Sequence, residues 1–214
     1  MPVRDFQEEI YLTMVTRNGV IKKTALADYQ NIRATGINAI NIDAGDELLD
    51  VIRTDGKRQI LIATHDGMAV RFQETDVRPM GRAARGVRGV NLRKGDYVVS
   101  VCSVSQEGSE KILSVSEKGF GKQTIVSSYR LAKRGGIGVI NMKTTDKTGK
   151  VVASFPIEEN SEIMIITQQA KLIRLGVDKI RETGRSAQGV TLIRCGDDDC
   201  VTSASLLAAE SEGE

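Results

Sequence analysis

Apolar side chains along this sequence fall in short alternating or continuous runs, each halted by a tight-turn residue. Leu12-Thr13-Met14-Val15 stops at Asn18-Gly19, and Leu61-Ile62-Ala63-Thr64 stops at Asp66-Gly67. Leu113-Ser114-Val115 stops at Lys118-Gly119, and Met164-Ile165-Ile166 stops at Gln169-Ala170. Runs of this length with period-2 character predict β-strands, and the turn residues between them predict hairpins. A sustained 3.6-residue period is missing. Lys22 to Tyr29 and Arg71 to Val77 have room for one helical turn and no more.

The turn positions 19, 67, 119 and 170 recur every 48 to 52 residues. A second glycine marks each unit further on, at Gly36, Gly86, Gly136 and Gly189, spaced 50, 50 and 53 residues apart. A third anchor, Gly45-Asp46, Gly95-Asp96, Gly149-Lys150 and Gly196-Asp197, leads each time into a β-rich run. Four units near 10–59, 60–111, 112–162 and 163–206 follow, with an acidic tail at 207–214. Each unit offers about four short strands, the sequence form of propeller blades, and the fold class is all-β. One four-stranded sheet cannot bury both its faces, so the Val, Ile and Leu positions belong between stacked blades. Tyr29 and Tyr129 stand seven residues before Gly36 and Gly136, whereas Val77 and Ile180 stand nine before Gly86 and Gly189. This predicts two alternating subtypes of unit, with both tyrosines bracing the core.

Composition narrows the function. Of 214 residues 40% are apolar, enough for a sizeable core, and only 4% are aromatic with no Trp, which argues against stacking of single-stranded bases. Cys102, Cys195 and Cys200 are an odd number without a CxxC, so neither a disulfide framework nor a zinc site is expected. His65 is the only histidine, which leaves little material for acid–base or metal catalysis, and no cofactor is expected. No apolar run reaches membrane-spanning length, and the expected setting is a reducing cytoplasm.

Thirty basic and 28 acidic residues give a net +2, yet the signs separate along the chain. From Val77 to Lys94 there are six basic residues and no acid, and Lys118 to Lys143 repeats that composition. Arg78, Arg82, Arg85 and Arg88 lie in the first stretch; Lys122, Lys133 and Arg134 lie in the second. Lys22, Lys23, Arg71 and Arg174 follow the first turns of their units, while Arg33 and Arg185 sit near the second glycines of theirs. A repeat carries equivalent positions to one surface, so these thirteen side chains predict a basic band. Gly81, Gly86, Gly135 and Gly136 would shape its loops and let backbone N–H groups approach an anion. Such a band suits the phosphates of duplex DNA, read without base specificity and weakened by salt. A protein-interaction propeller whose rim meets an acidic partner is the alternative from a different class.

The run Asp76-Val77-Arg78-Pro79-Met80-Gly81-Arg82-Ala83-Ala84-Arg85-Gly86-Val87-Arg88-Gly89-Val90 closely resembles the C-terminal domain of DNA gyrase A. Thr16 to Thr24, Gly45 to Leu48, and Gly119-Phe120-Gly121-Lys122 through Gly149 to Val152 carry the same resemblance over nearly the whole chain. It implies a β-pinwheel, a six-bladed propeller variant that wraps duplex DNA on its rim and supports ATP-dependent negative supercoiling without catalysing anything itself. The corresponding domain of topoisomerase IV is the near alternative. The resemblance also implies a bacterial, nucleoid-associated protein whose partners are DNA, the rest of gyrase A, and gyrase B. The four units match the last four blades of the family domain. Its first-blade signature, glutamine, basic, arginine, glycine, glycine, basic, glycine, has only a degenerate counterpart in Ala132-Lys133-Arg134-Gly135-Gly136-Ile137-Gly138. Blade ends left open in this way predict a homodimer through the first or last unit.

Overall fold

A computed structural model describes residues 9–31 and 34–207. These residues form four antiparallel sheets. In the first unit β1 (Tyr11–Thr16) and β2 (Val20–Ala25) make a hairpin, and β3 (Leu48–Thr54) returns to the other side of β1. The second unit repeats the plan with β4 (Gln59–Thr64), β5 (Met68–Gln73) and β7 (Val98–Val104), the last preceded on the chain by the two-residue β6 (Val87–Arg88). The third has β8 (Lys111–Ser116), β9 (Phe120–Ile125), β10 (Val139–Ile140) and β11 (Val151–Ile157). The fourth has β12 (Glu162–Thr167), β13 (Leu172–Gly176), β14 (Val190–Thr191) and β15 (Val201–Leu206). The single helical turns expected after the hairpins are 3-10 turns at Leu26–Tyr29 and Glu74–Asp76, with counterparts at Val126–Ser128 and Val177–Lys179.

The short strands do not stay in their own units. β6 pairs with β2, β10 with β5 and β14 with β9, so each of the first three sheets takes its fourth strand from the next unit. The sheet orders are β3-β1-β2-β6, β10-β5-β4-β7 and β11-β8-β9-β14. The expectation of about four strands per blade is therefore met by exchange. It fails in the last blade, which has three strands in the order β13-β12-β15, because no later unit among the described residues supplies the fourth.

Two anchors also move. Gly86 and Gly189 open the donated strands in left-handed conformation, φ +105° and +85°, and their counterpart in the third unit is Gly138 at φ +86°, not Gly136. A side chain at Gly86 would meet the Ile21 carbonyl oxygen at 2.6 Å, and the same clash awaits at Gly138 with Ala69 and at Gly189 with Gly121. The glycine is thus required by close strand approach as well as by its φ. Counted to Gly138, the loop after Tyr129 is nine residues long, as in units two and four, and only the first unit is short. The aspartate that caps the first turn through its side chain is Asp46 to Asn18 N, Asp96 to Asp66 N and Asp199 to Gln169 N. In the fourth unit this function falls on Asp199, not on Asp197.

Three apolar clusters hold the blades together. Val15 and Ile21 pack with Ile60, Ile62, Val70 and Phe72 between the first and second blades. Leu61, Ala63 and Cys102 pack with Ile112, Val126 and Tyr129 between the second and third. Leu113, Val115 and Ile157 pack with Ile163, Ile165 and Val177 between the third and fourth. Strand alternation directs one side chain to each neighbour in turn, and this is what stacks the units. Tyr129 braces the second of these clusters and donates Oη to Asn141 Oδ1 at 2.6 Å, whereas buried Tyr29 lies outside all three and donates to the Ala39 carbonyl of its own unit at 3.3 Å.

Candidate nucleic-acid interface

The strand exchange puts each unit's long loop against the unit before it, and one arginine recurs there. Arg82, Arg134 and Arg185 each stand four residues before the glycine that opens a donated strand. Arg134 Nη1 donates to the Arg88 carbonyl at 3.0 Å and Nε to the Asp76 carbonyl at 3.0 Å. Arg185 Nη1 donates to the Ile140 carbonyl at 3.0 Å, the position in the third unit that Arg88 holds in the second. The loops also dock through backbone bonds: Asn41 N to Ala84 O, Asn91 N to Gly136 O and Lys143 N to Ala187 O. Arg82, Arg134 and Arg185 are half-buried. In Arg134 and Arg185 the guanidinium anchors the loop while the side chain stays partly exposed.

Four of the cations expected on the surface are in the interior instead. Lys22 is fully buried and its ammonium donates to the Ala39 carbonyl at 2.6 Å and to the Arg82 carbonyl. Lys122 is equally buried and donates to Thr124 Oγ1, Gly184 O and Arg185 O, each at 2.9 Å. Arg71 donates to Gln59 Oε1 at 2.7 Å, Val126 O at 2.8 Å and Tyr129 O at 3.1 Å. Lys23 is paired with buried Glu74 at 3.3 Å and lies 4.8 Å over the Tyr11 ring. A strand flanked on both faces has no solvent side, and these charges persist there because carbonyls or a carboxylate satisfy them. Their role is positional. Lys22 and Lys122 hold the backbones of Arg82 and Arg185, so buried lysines set the loops that carry rim arginines. Desolvation, then the nearby Arg185 charge, brings the Lys122 ammonium down to about 7, and burial lowers Lys22 in the same direction.

The remaining candidates among the described residues lie on the long loops and donated strand of the second and third units, except Arg174, which lies on the outer strand β13 of the last sheet. Arg78, Arg85, Arg88 and Lys133 are exposed. Lys133 pairs with Asp76 at 2.8 Å, and Arg85 with Asp43. The acids therefore interleave with the band in space although none interrupts it in sequence. Arg174 is exposed and paired with Glu162. Arg33 lies outside the described residues, as does most of the acidic tail. Among the loop glycines Gly86 and Gly135 take positive φ, and Gly135 N donates to Gly89 O at 2.6 Å, whereas Gly81 and Gly136 take no positive φ. Gly138 and Gly189 are as demanding as Gly86, and a Gly-Val dipeptide four residues after a loop arginine, at 86–87, 138–139 and 189–190, is the sequence signal that the three share.

A series of cations repeated at successive junctions, each mounted on a loop fixed from behind, is suited to successive phosphates of a duplex. His65 is held on three sides: its ring stacks on Tyr97 at 4.4 Å, Nδ1 lies 3.0 Å from the Val151 carbonyl, and Nε2 lies 3.6 Å from a Glu117 carboxylate oxygen.

The model of the family described as DNA gyrase C-terminal domain, beta-propeller, matches residues 11–55, 58–105, 110–158 and 161–207. DNA gyrase A of Helicobacter pylori is 45% identical over 199 residues, covering 92% of this chain and 24% of the relative. DNA gyrase A of Staphylococcus aureus is 39% identical over 213 residues, covering 99% of this chain and 24% of the relative. The chain thus spans about a quarter of the length of these relatives. Among solved structures, the C-terminal domain of DNA topoisomerase IV superposes with a TM-score of 0.91 at 29% identity, covering 98% of this chain and 65% of that one. A DNA gyrase A C-terminal domain superposes with a TM-score of 0.84 at 28% identity, covering 96% and 68%.

Proposed function

Because this chain belongs to the DNA gyrase C-terminal domain family of β-propellers, we propose that it is a non-catalytic DNA-wrapping module of gyrase A. It holds a duplex against the blade junctions and, within a holoenzyme with the rest of gyrase A and with gyrase B, supports ATP-dependent negative supercoiling. The setting is the bacterial cytoplasm, at the nucleoid. The observation that carries the reading is the arginine recurring at one loop position in three consecutive units, Arg82, Arg134 and Arg185, with exposed Arg78, Arg85, Arg88 and Lys133 beside it. Gyrase A is favoured over topoisomerase IV by the sequence identities of 45% and 39% over nearly the whole chain.

Bending tens of base pairs costs several kcal/mol, about 1–6 by elastic estimates, so a curved track needs several junctions acting together. The test is duplex binding by the 214-residue chain over a salt series, with fragments too short to bend and fragments long enough to do so. The expected result is tighter binding of the longer duplex, with a slope of log K against log salt that falls by about one for Arg134→Ala and again for Arg185→Ala. Unchanged slopes in both variants would refute the rim as the DNA track. Self-association of the chain depends on whether its two open ends fit each other.

A further inference from the structure

Among the described residues, no sheet receives the first unit's donor segment and no strand is donated to the edge of the last sheet. In the three complete exchanges the donated segment is gripped at the hairpin turn. Gly89 N and Val90 N both donate to Gly19 O, Asn141 N and Met142 N to Gly67 O, and Leu192 N and Ile193 N to Gly119 O. A residue just beyond the donated strand is then buried, with Val90 at 2%, Met142 at 1% and Ile193 at 8% exposure. By the same spacing the first unit's donor begins at Gly36, φ +77°, with nothing within 4 Å of where its side chain would be, and its Ile40, the counterpart of Val90, is only half-buried. The matching acceptor is β13, whose Leu172 is 57% exposed. Counted from the turns, Leu172 corresponds to Ile21, Ala69 and Gly121, and Ile37 to Val87, Val139 and Val190. A second copy of this chain therefore offers a donor of matching register to the open edge of the first.

One residue spoils that match. The turn residue of the last hairpin is Ala170, which makes the same bond to Thr167 O that Gly19, Gly67 and Gly119 make to Thr16, Thr64 and Ser116. It is held at φ +60°, a region alanine rarely adopts. In the other three turns the glycine is required by the incoming strand. A methyl group at Gly19 would meet Val90 Cγ1 at 2.7 Å, and at Gly67 and Gly119 it would run into the carbonyl oxygens of Met142 and Ile193. Ala170 carries that methyl group. We propose that Ala170 is a steric stop which closes the β13 edge to the donor strand of another copy, so that the free donor at residues 36–42 is specific for an edge whose turn residue is glycine. The last blade is thereby a terminus and not a link in a head-to-tail chain, one of the ways an exposed edge strand is kept from pairing.

The experiment is mass in solution, by light scattering and sedimentation over a wide protein range, for the intact chain, Gly36→Val, Ala170→Gly, and Ala170→Gly combined with Gly36→Val. The intact chain should keep its monomer mass of 23.3 kDa. Ala170→Gly should melt at a higher temperature, since glycine accepts the left-handed turn, and its weight-average mass should rise at least twofold with concentration. Adding Gly36→Val, which puts a branched side chain where the donor must touch the acceptor carbonyl, should return the mass to monomer. A monomeric Ala170→Gly would overturn the proposal, because the methyl group would not be what keeps the edge closed. Association of the intact chain that Gly36→Val abolishes would overturn it equally, because the edge would be open despite Ala170. The measurement contains no DNA, so it stands apart from the wrapping assignment.

Discussion

The second and fourth blades are written with the same kind of central strand and end in different environments. β4 reads Ile60-Leu61-Ile62-Ala63 and β12 reads Ile163-Met164-Ile165-Ile166, both apolar throughout. All six residues of β4 are buried, whereas β12 alternates, with Ile163, Ile165 and Thr167 buried and Glu162, Met164 and Ile166 half-exposed. Ile60 and Ile62 face the first blade, Leu61 and Ala63 face the third, and only the odd-numbered positions of β12 have a neighbour to face. A continuous apolar strand thus states a capacity for two-sided burial. How much of it is realised depends on position in the stack.

The sharpest way to break that comparison is at the donor glycines. Gly138→Val should cost about 4 kcal/mol, adding a left-handed backbone penalty of about 1–2 to an overpacking cost of about 1–3 where the Ala69 carbonyl sits. Gly36→Val, at φ +77° but facing open space, should cost only the backbone part. Equal losses in urea unfolding would show that the close approach contributes nothing. Next in size, Ile62→Ala should cost about 3 kcal/mol against about 1 for Ile166→Ala, since one leaves a cavity between two blades and the other leaves a surface notch. Equal midpoints for the two variants would mean that the fourth blade is covered as fully as the second.

What can be read from the sequence follows the same line. The repeat, the all-β class and the Tyr129 brace are legible from spacing, because turn chemistry and strand alternation are local. Strand exchange is not, since Val87-Arg88 reads identically whichever sheet receives it. That ambiguity also displaces the third unit's glycine: Gly135-Gly136 resembles a loop anchor, but the carbonyl of Ala69, supplied by the preceding blade, selects Gly138. The lysines mislead for a related reason. Lys22 and Lys122 stand at inward-facing strand positions in runs that look polar, and only the next unit's carbonyls, 60 to 63 residues away, explain why a charge is tolerated there. Arginines on loops are easier to place because a loop is on the surface in any arrangement of the sheets.

Lys122 offers a smaller effect that sharpens the contrast between a charge held inside and a charge offered outside. Its folded ammonium titrates at about 7 against an ordinary 10.5. Between those values the unfolded chain keeps a proton that the folded chain has released, so stability rises with pH through that window and is flat in this respect below it. The slope approaches about 1.4 kcal/mol per pH unit. Tyr129 and Cys102, raised by burial, act in the opposite sense only above their ordinary values of 10 and 9, while Lys22, lowered by burial, adds to the rise, so the lysines dominate between pH 7 and 9 and Lys122→Met separates its share. Lys122→Met should reduce the rise to what Lys22 contributes. It should also cost about 2 kcal/mol at pH 7, because the carbonyls of Gly184 and Arg185 lose their donor. Parallel stability–pH curves for the two proteins would rule the titration out.

The smallest expected effect separates rim cations that are paired from those that are free to meet a phosphate. Arg85 is exposed and paired with exposed Asp43. A surface pair of this kind is worth roughly 0–1 kcal/mol, so Asp43→Asn should leave the unfolding midpoint almost unchanged. It removes a carboxylate that competes with phosphate for the same guanidinium. Duplex binding at low salt should therefore tighten by a few-fold, and the slope of log K against log salt should steepen by about one as Arg85 joins the contacts. An increase in affinity without a change in slope would assign the gain to the lost repulsion of Asp43 alone. A matching gain from Glu162→Gln at the Arg174 pair would place the last blade on the DNA path, and no gain there would end the track at the junction of the third and fourth blades.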